Sequence, residues 1–113
     1  MHITITSLTL KHWYGFFRLS AFGLKISRQC KNEKGFIAQK NTGLGYEHFT
    51  LTAWESQDDL KRFARSGAHA DAMKSSKSLA TEIRTYTYVA NEMPQWAEAK
   101  KLLKEKGKVL NLL

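Results

Sequence analysis

The chain opens on alternation. His2 to Leu10 reads HITITSLTL, in which isoleucine and threonine take turns at the two-residue period of a half-buried strand. From Trp13 to about Asn32 the period lengthens. Trp13, Phe16, Phe17 and Leu24, and Leu19, Phe22, Ile26 and Cys30, recur at three- and four-residue steps without a proline, which predicts a helix. Arg18, Lys25 and Arg28 fall on the side expected to meet water, and Gly35 is placed to stop the unit. A strand follows from Phe36 to about Thr42. After a Gly43-Leu-Gly45 turn, Tyr46 to Trp54 alternates again, with Phe49, Leu51 and Ala53 against His48, Thr50, Thr52 and Trp54.

Ser56 then reads as an N-cap, with Asp58 and Asp59 in the first turn, where carboxylates suit the helix dipole. This helix runs to about Ser66. Gly67 bends or divides it, and a second helical piece covers Ala68 to Leu79. Thr81 to Ala90 is a fourth strand, with Ile83, Thr85, Thr87 and Val89 on one face and Arg84, Tyr86 and Tyr88 on the other. Pro94 suits the first turn of a last helix, Gln95 to Lys106, striped by Trp96, Ala99, Leu102 and Leu103. Gly107 ends it, and Val109 to Leu113 forms a short apolar tail.

This order predicts an α+β, ferredoxin-like β-α-β-β-α-β unit plus a C-terminal helix, with a four-stranded antiparallel sheet and helices on one face. The 113 residues make one domain, with its core over about 2–90 and the last helix and tail over 94–113. The opposite sheet face, carrying large residues such as Trp54 or Tyr86 and Tyr88, is expected to need cover. A second copy packed sheet to sheet would supply it, giving a homodimer.

Composition narrows the classes. The chain is 42% hydrophobic and 25% charged, the balance of an ordinary globular domain. One cysteine, Cys30, allows no internal disulfide, so a reduced cytoplasm is the expected location and the thiol is expected to be buried and inert. No stretch reaches the roughly 18 apolar residues of a membrane-spanning helix. Five basic residues and no acid precede Glu33, a balance found in transit peptides, but the opening strand argues against one. Net charge is +8, carried mostly by lysines along the whole chain. There is no Arg-rich run, RNP-like aromatic motif or zinc-finger spacing, so nucleic acid is not the expected partner.

Thr52-Ala-Trp-Glu-Ser56, followed by Leu60, Phe63, Ser66 and His69, resembles the antibiotic-biosynthesis-monooxygenase-like group of dimeric α+β barrels. A weaker resemblance, through Trp54-Glu55, Phe63-Ala64 and Gly67-Ala-His69, is to the spheroidene monooxygenase group, which is linked to haem and to long apolar substrates. The first resemblance implies a ferredoxin-like dimer and a range of chemistries, cofactor-free oxygenation among them. Haem-degrading members resemble the chain near Trp54 to Ser66, but where they carry a Trp and a ligand His this chain has Phe63 and Met73, so haem degradation is not expected.

Individual residues carry the functional expectation. His69, beside the break at Gly67, is a candidate proton acceptor or iron ligand; the plainer alternative is a histidine bonded to nearby backbone. Arg84 is a candidate to hold a carboxylate or enolate; its alternative is an ion pair with Glu82 or Glu47. Trp13, Phe17, Trp54, Phe63 and Met73 are candidates to line a pocket for a small apolar or aromatic molecule, against plain core packing. His2, His12 and His48 have no metal-ligand spacing, so no metal site is expected. The resulting expectation is a small monooxygenase-like protein that needs no cofactor. Haem held by His69 is the alternative. A third reading is a basic module on an anionic membrane surface, because the aromatics of the first helix interleave with Arg18, Lys25 and Arg28.

Overall fold

The alternating segments pair into one antiparallel sheet in the computed structural model, which describes residues 1–110. Its strands are β1 (His2–Leu10), β2 (Phe36–Leu44), β3 (Glu47–Trp54), β4 (Ala80–Val89) and the two-residue β5 (Lys108–Val109), in the order β2-β3-β1-β4-β5. The sheet therefore has a fifth strand, taken from the start of the expected apolar tail; residues 111–113 of that tail lie outside the described residues. β2 also runs through Gly43 to Leu44, which shortens the turn before β3 to Gly45 and Tyr46.

The central position of β1 follows from its register. Ile5 sits between Leu51 of β3 and Tyr86 of β4, and Thr6 between Thr50 and Thr85. Because side chains alternate across a strand, one face gathers Ile3, Ile5, Phe49, Leu51, Ala53, Tyr86 and Tyr88. The other gathers Thr4, Thr6, Thr50, Thr52, Thr85 and Thr87.

The helices α1 (Gly15–Asn32), α2 (Gln57–Ala64) and α3 (Gly67–Leu79) lie on the threonine side. α4 (Trp96–Lys106) crosses to the isoleucine side, where Ala99 and Leu103 are buried against Ile3, Ile5, Phe49 and Leu51. Burying a leucine-sized side chain contributes about 1.5–3 kcal/mol, so α4 is an integral part of this core. α4 thus covers part of the face expected to await a second copy, while Tyr86 and Tyr88 on that face are only partly buried. Trp54 is not on that face. It is fully buried on the helix side with Cys30 and Phe63, and its ring lies 4.9 Å from that of Phe63. Burial pushes the Cys30 thiol up to about 12, which keeps it protonated and unreactive.

α2 starts as its sequence predicts. The Ser56 hydroxyl accepts the Asp59 backbone N–H at 3.1 Å and donates to the Asp59 carboxylate at 2.8 Å. Arg62 holds the other carboxylate oxygen at 3.0 Å. The Ser56 hydroxyl first, and Arg62 with it, lower the Asp59 pKa.

Candidate functional site

The threonine face and the helix layer do not close on each other. α1 rests on α3 and on β2, and a cavity of about 750 Å³ separates it from the central strands. That volume lies within the range of small-molecule pockets, roughly 300–1,000 Å³. Its floor is the sheet: Thr4, Thr6, Thr50, Thr52, Thr85 and Thr87, with Leu8 and Ile83 toward one end. Its roof is mostly apolar, with Phe16, Leu19, Phe22 and Ile26 of α1, Leu60 and Phe63 of α2, and Met73 and Leu79 of α3, interrupted by Ser20, Ser27, Lys61 and Ser76. Hydroxyls on one side and hydrocarbon on the other favour a ligand with an apolar body and oxygen or nitrogen functions along one edge. The hydroxyls are partly satisfied among themselves, Thr4 with Thr87 at 2.9 Å and Thr6 with Thr85 at 3.4 Å. Each hydroxyl carries two acceptor lone pairs, so capacity remains for a guest.

His69 lines this cavity in the first turn of α3. Its Nδ1 lies 3.0 Å from the Ala64 carbonyl. A carbonyl can only accept, so Nδ1 carries the proton and Nε2 of the neutral ring keeps its lone pair. Burial lowers the His69 pKa, which favours that neutral form, and the Phe63 ring packs 5.0 Å away. The backbone bond of the plainer alternative and the cavity position of the functional one therefore hold together.

The break that presents His69 is organised by Gln29 of α1. Its side-chain amide donates to the carbonyls of Ser66 at 2.9 Å and Phe63 at 3.3 Å, and its carbonyl accepts the His69 backbone N–H at 3.0 Å. Gly67 makes the turn with φ of +58°, and a Cβ there would press on the Gln29 amide at 3.0 Å. Both the left-handed backbone and the close approach call for glycine.

The remaining expected site residues divide. Phe63 and Met73 line the cavity with His69. Trp54 stands behind Phe63 in the adjoining core and is not part of the wall. Trp13 and Phe17 are 66% and 67% exposed and do not line it. Arg84 is on the opposite sheet face, in register with Ser7 and on the same side of β4 as Tyr86, and pairs with Glu82 at 3.3 Å. The sheet therefore separates Arg84 from His69. Alternation along β4 places Arg84 on the face of Tyr86; what it leaves open is which face the cavity takes.

Three features of the site escape the sequence reading: the threonine floor, Gln29 and His48. The floor has a signal, since β1, β3 and β4 each carry threonine at alternate positions and antiparallel pairing stacks them. His48 stands alone in the sequence, but its Nε2 lies 2.9 Å from the Gly45 carbonyl, and its ring 5.8 Å from Phe16 at the cavity edge. Gln29 has no signal short of the tertiary contact. Among the described residues, no group of three His, Cys, Asp or Glu side chains could hold a metal ion. Likewise, none of the described helices is long and apolar enough to cross a membrane.

No protein-family model matches the sequence, and no curated protein matches it. Solved structures do. SnoaB, a cofactor-independent oxygenase from Streptomyces nogalater, superposes with a TM-score of 0.66 at 11% identity over 83% of this chain and 97% of its own. A candidate antibiotic biosynthesis monooxygenase from Deinococcus radiodurans gives 0.71 at 14% identity over 84% and 97%. One from Nitrosomonas europaea gives 0.72 at 11% identity over 81% and 100%. Through this likeness, over nearly the whole of each neighbour, the chain has the fold of the antibiotic-biosynthesis-monooxygenase-like proteins.

Proposed function

We propose that the chain is a monooxygenase-like protein that takes an apolar or aromatic organic molecule into the cavity between its threonine face and its helices. The observation that carries this reading is His69 on the cavity wall, with the Nε2 lone pair free of the Ala64 contact. The site would exclude water from an electron-rich guest, hold its polar edge on the threonines and accept a proton at Nε2. A guest carbanion or enolate formed in this way can give up an electron to dioxygen without a cofactor. SnoaB, a cofactor-independent oxygenase of this fold, supports that chemistry. Arg84 has no part in this version, because it lies across the sheet.

The second reading, haem with His69 as ligand, rests on the same lone pair: the neutral imidazole nitrogen would hold the iron. The two readings separate cleanly. Titration with an anthrone, a probe of the cofactor-free type, should quench the fluorescence of the wild-type protein but not of His69→Ala. Haem titration should give no shifted band near about 400 nm. A haem band that His69→Ala removes would select the second reading. Anthrone binding unchanged in His69→Ala would overturn the role assigned to His69.

A further inference from the structure

The connection from β1 into α1 presents its aromatics to solvent. Trp13, Tyr14, Phe16, Phe17 and Leu24 are 66%, 55%, 49%, 67% and 56% exposed. Isolated exposed apolar residues are ordinary, but a contiguous group marks an interaction surface. This group is ordered within itself. His12 stacks on Tyr14 at 4.9 Å, Trp13 meets Tyr14 edge-on at 5.8 Å, and Phe16 meets Phe17 at 6.0 Å. The helix that follows Trp13 and Tyr14 and carries Phe16, Phe17 and Leu24 also exposes Arg18, Lys25, Arg28 and Lys31, and no acid occurs before Glu33. Glu82, near this end of the sheet, is already paired with Arg84.

We infer that the start of α1 is a docking surface for an anionic lipid bilayer, with Trp13 and Phe17 entering the interface and the α1 cations facing the headgroups. Trp and Tyr have an apolar body and a polar tip, which suits the boundary between acyl chains and water. Cations beside an apolar group supply the attraction to negative lipid that such a shallow anchor needs. The net charge of +8 adds to it. Phe16 and Leu24 belong both to this surface and to the cavity wall. A docked molecule would therefore turn the α1 side of its cavity toward the lipid. The docking itself does not depend on any chemistry in the cavity.

The test uses the full chain with phosphatidylcholine vesicles, with and without phosphatidylglycerol. Sedimentation with the phosphatidylglycerol vesicles is expected, falling as salt rises, with quenching of Trp13 by brominated lipid. Trp54 is fully buried and does not report on lipid, and Trp96 is only partly buried on α4 across the sheet, so the quenching belongs to Trp13 only if Trp13→Ala removes it. Trp13→Ala with Phe17→Ala should weaken binding by at least about tenfold while leaving the melting temperature unchanged, because both side chains are exposed. Lys25→Glu with Arg28→Glu should remove the preference for the anionic lipid. The inference is overturned by no sedimentation with either vesicle, by binding indifferent to both double variants, or by light scattering that shows a dimer broken by Trp13→Ala with Phe17→Ala. Tighter binding to a single-stranded oligonucleotide that competes with the vesicles would also overturn it, since exposed aromatics among cations stack on bases as well.

Discussion

Gly35 lies against the side chain of Asp59. It ends the α1 unit with φ of +83°, and a Cβ at this position would enter the Asp59 carboxylate. The contact joins the start of β2 to the first turn of α2, where Asp59 is already held by Ser56 and Arg62. Gly35→Ala therefore adds a clash to a left-handed backbone that alanine disfavours. We expect a loss of more than about 2 kcal/mol in urea unfolding, against a few tenths for an ordinary surface change. Gly23→Ala is the control. Gly23 is helical, and a Cβ there would meet nothing within 4 Å, so the change should stabilise by about 0.5–1 kcal/mol. Equal losses in the two variants would contradict this role of Gly35.

His69 makes stability depend on pH in the mildly acidic range. Burial holds its pKa below the ordinary 6.5. As pH falls, the unfolded chain takes up the proton before the folded one does. The stability contributed by the neutral buried ring is complete above about 6.5 and is lost as pH drops through and below that value. Asp59 acts in the other acidic range, below its ordinary 3.8. Urea midpoints between about pH 7.5 and 5 should fall on acidification, and His69→Gln should flatten that slope. A wild-type midpoint that does not move would show that the ring titrates freely.

Gln29 holds both sides of the α2–α3 break through its single amide. Gln29→Ala leaves the His69 backbone N–H and the Ser66 carbonyl without this partner, at a cost of about 1–3 kcal/mol. The change should be local: faster hydrogen exchange at the His69 amide and weaker binding of any cavity ligand. Exchange at His69 no faster than in the wild type would mean that Gly67 and the helices hold the break without Gln29.

Leu103 tests the role of α4. Its side chain is 2% exposed against the isoleucine face. Leu103→Asp places a charge there without a partner and should cost about 3–5 kcal/mol, enough to free α4 from the sheet. The uncovered Ile3, Ile5 and Leu51 should then bind a hydrophobic dye and promote self-association in light scattering. Sheet-to-sheet pairing of two copies requires this same face.

Much of the fold was legible in the sequence because it rests on local rules. Two-residue alternation marked β1, β3 and β4; Ser56 with Asp58 and Asp59 marked the start of α2; Gly67 marked the break before α3. The motif from Thr52 to Ser56, with His69 beyond it, already pointed to the fold that the solved structures share. Alternation also separated Tyr86 from Thr85, and Leu51 from Thr50. It could not say which side of the sheet each helix would cover, because period alone carries no information about distant partners. That was decided by tertiary packing. α4 buries Ala99 and Leu103 on the isoleucine side, while α1, α2 and α3 span the threonine side and leave a cavity where hydroxyls would otherwise face water. The same decision set the site. His69 reached the cavity because Gln29, forty residues earlier, ties down the break beside it. Arg84 fell across the sheet, and Trp13 and Phe17 stayed outside, since a helical period fixes which residues share a face but not how far the helix stands from the sheet.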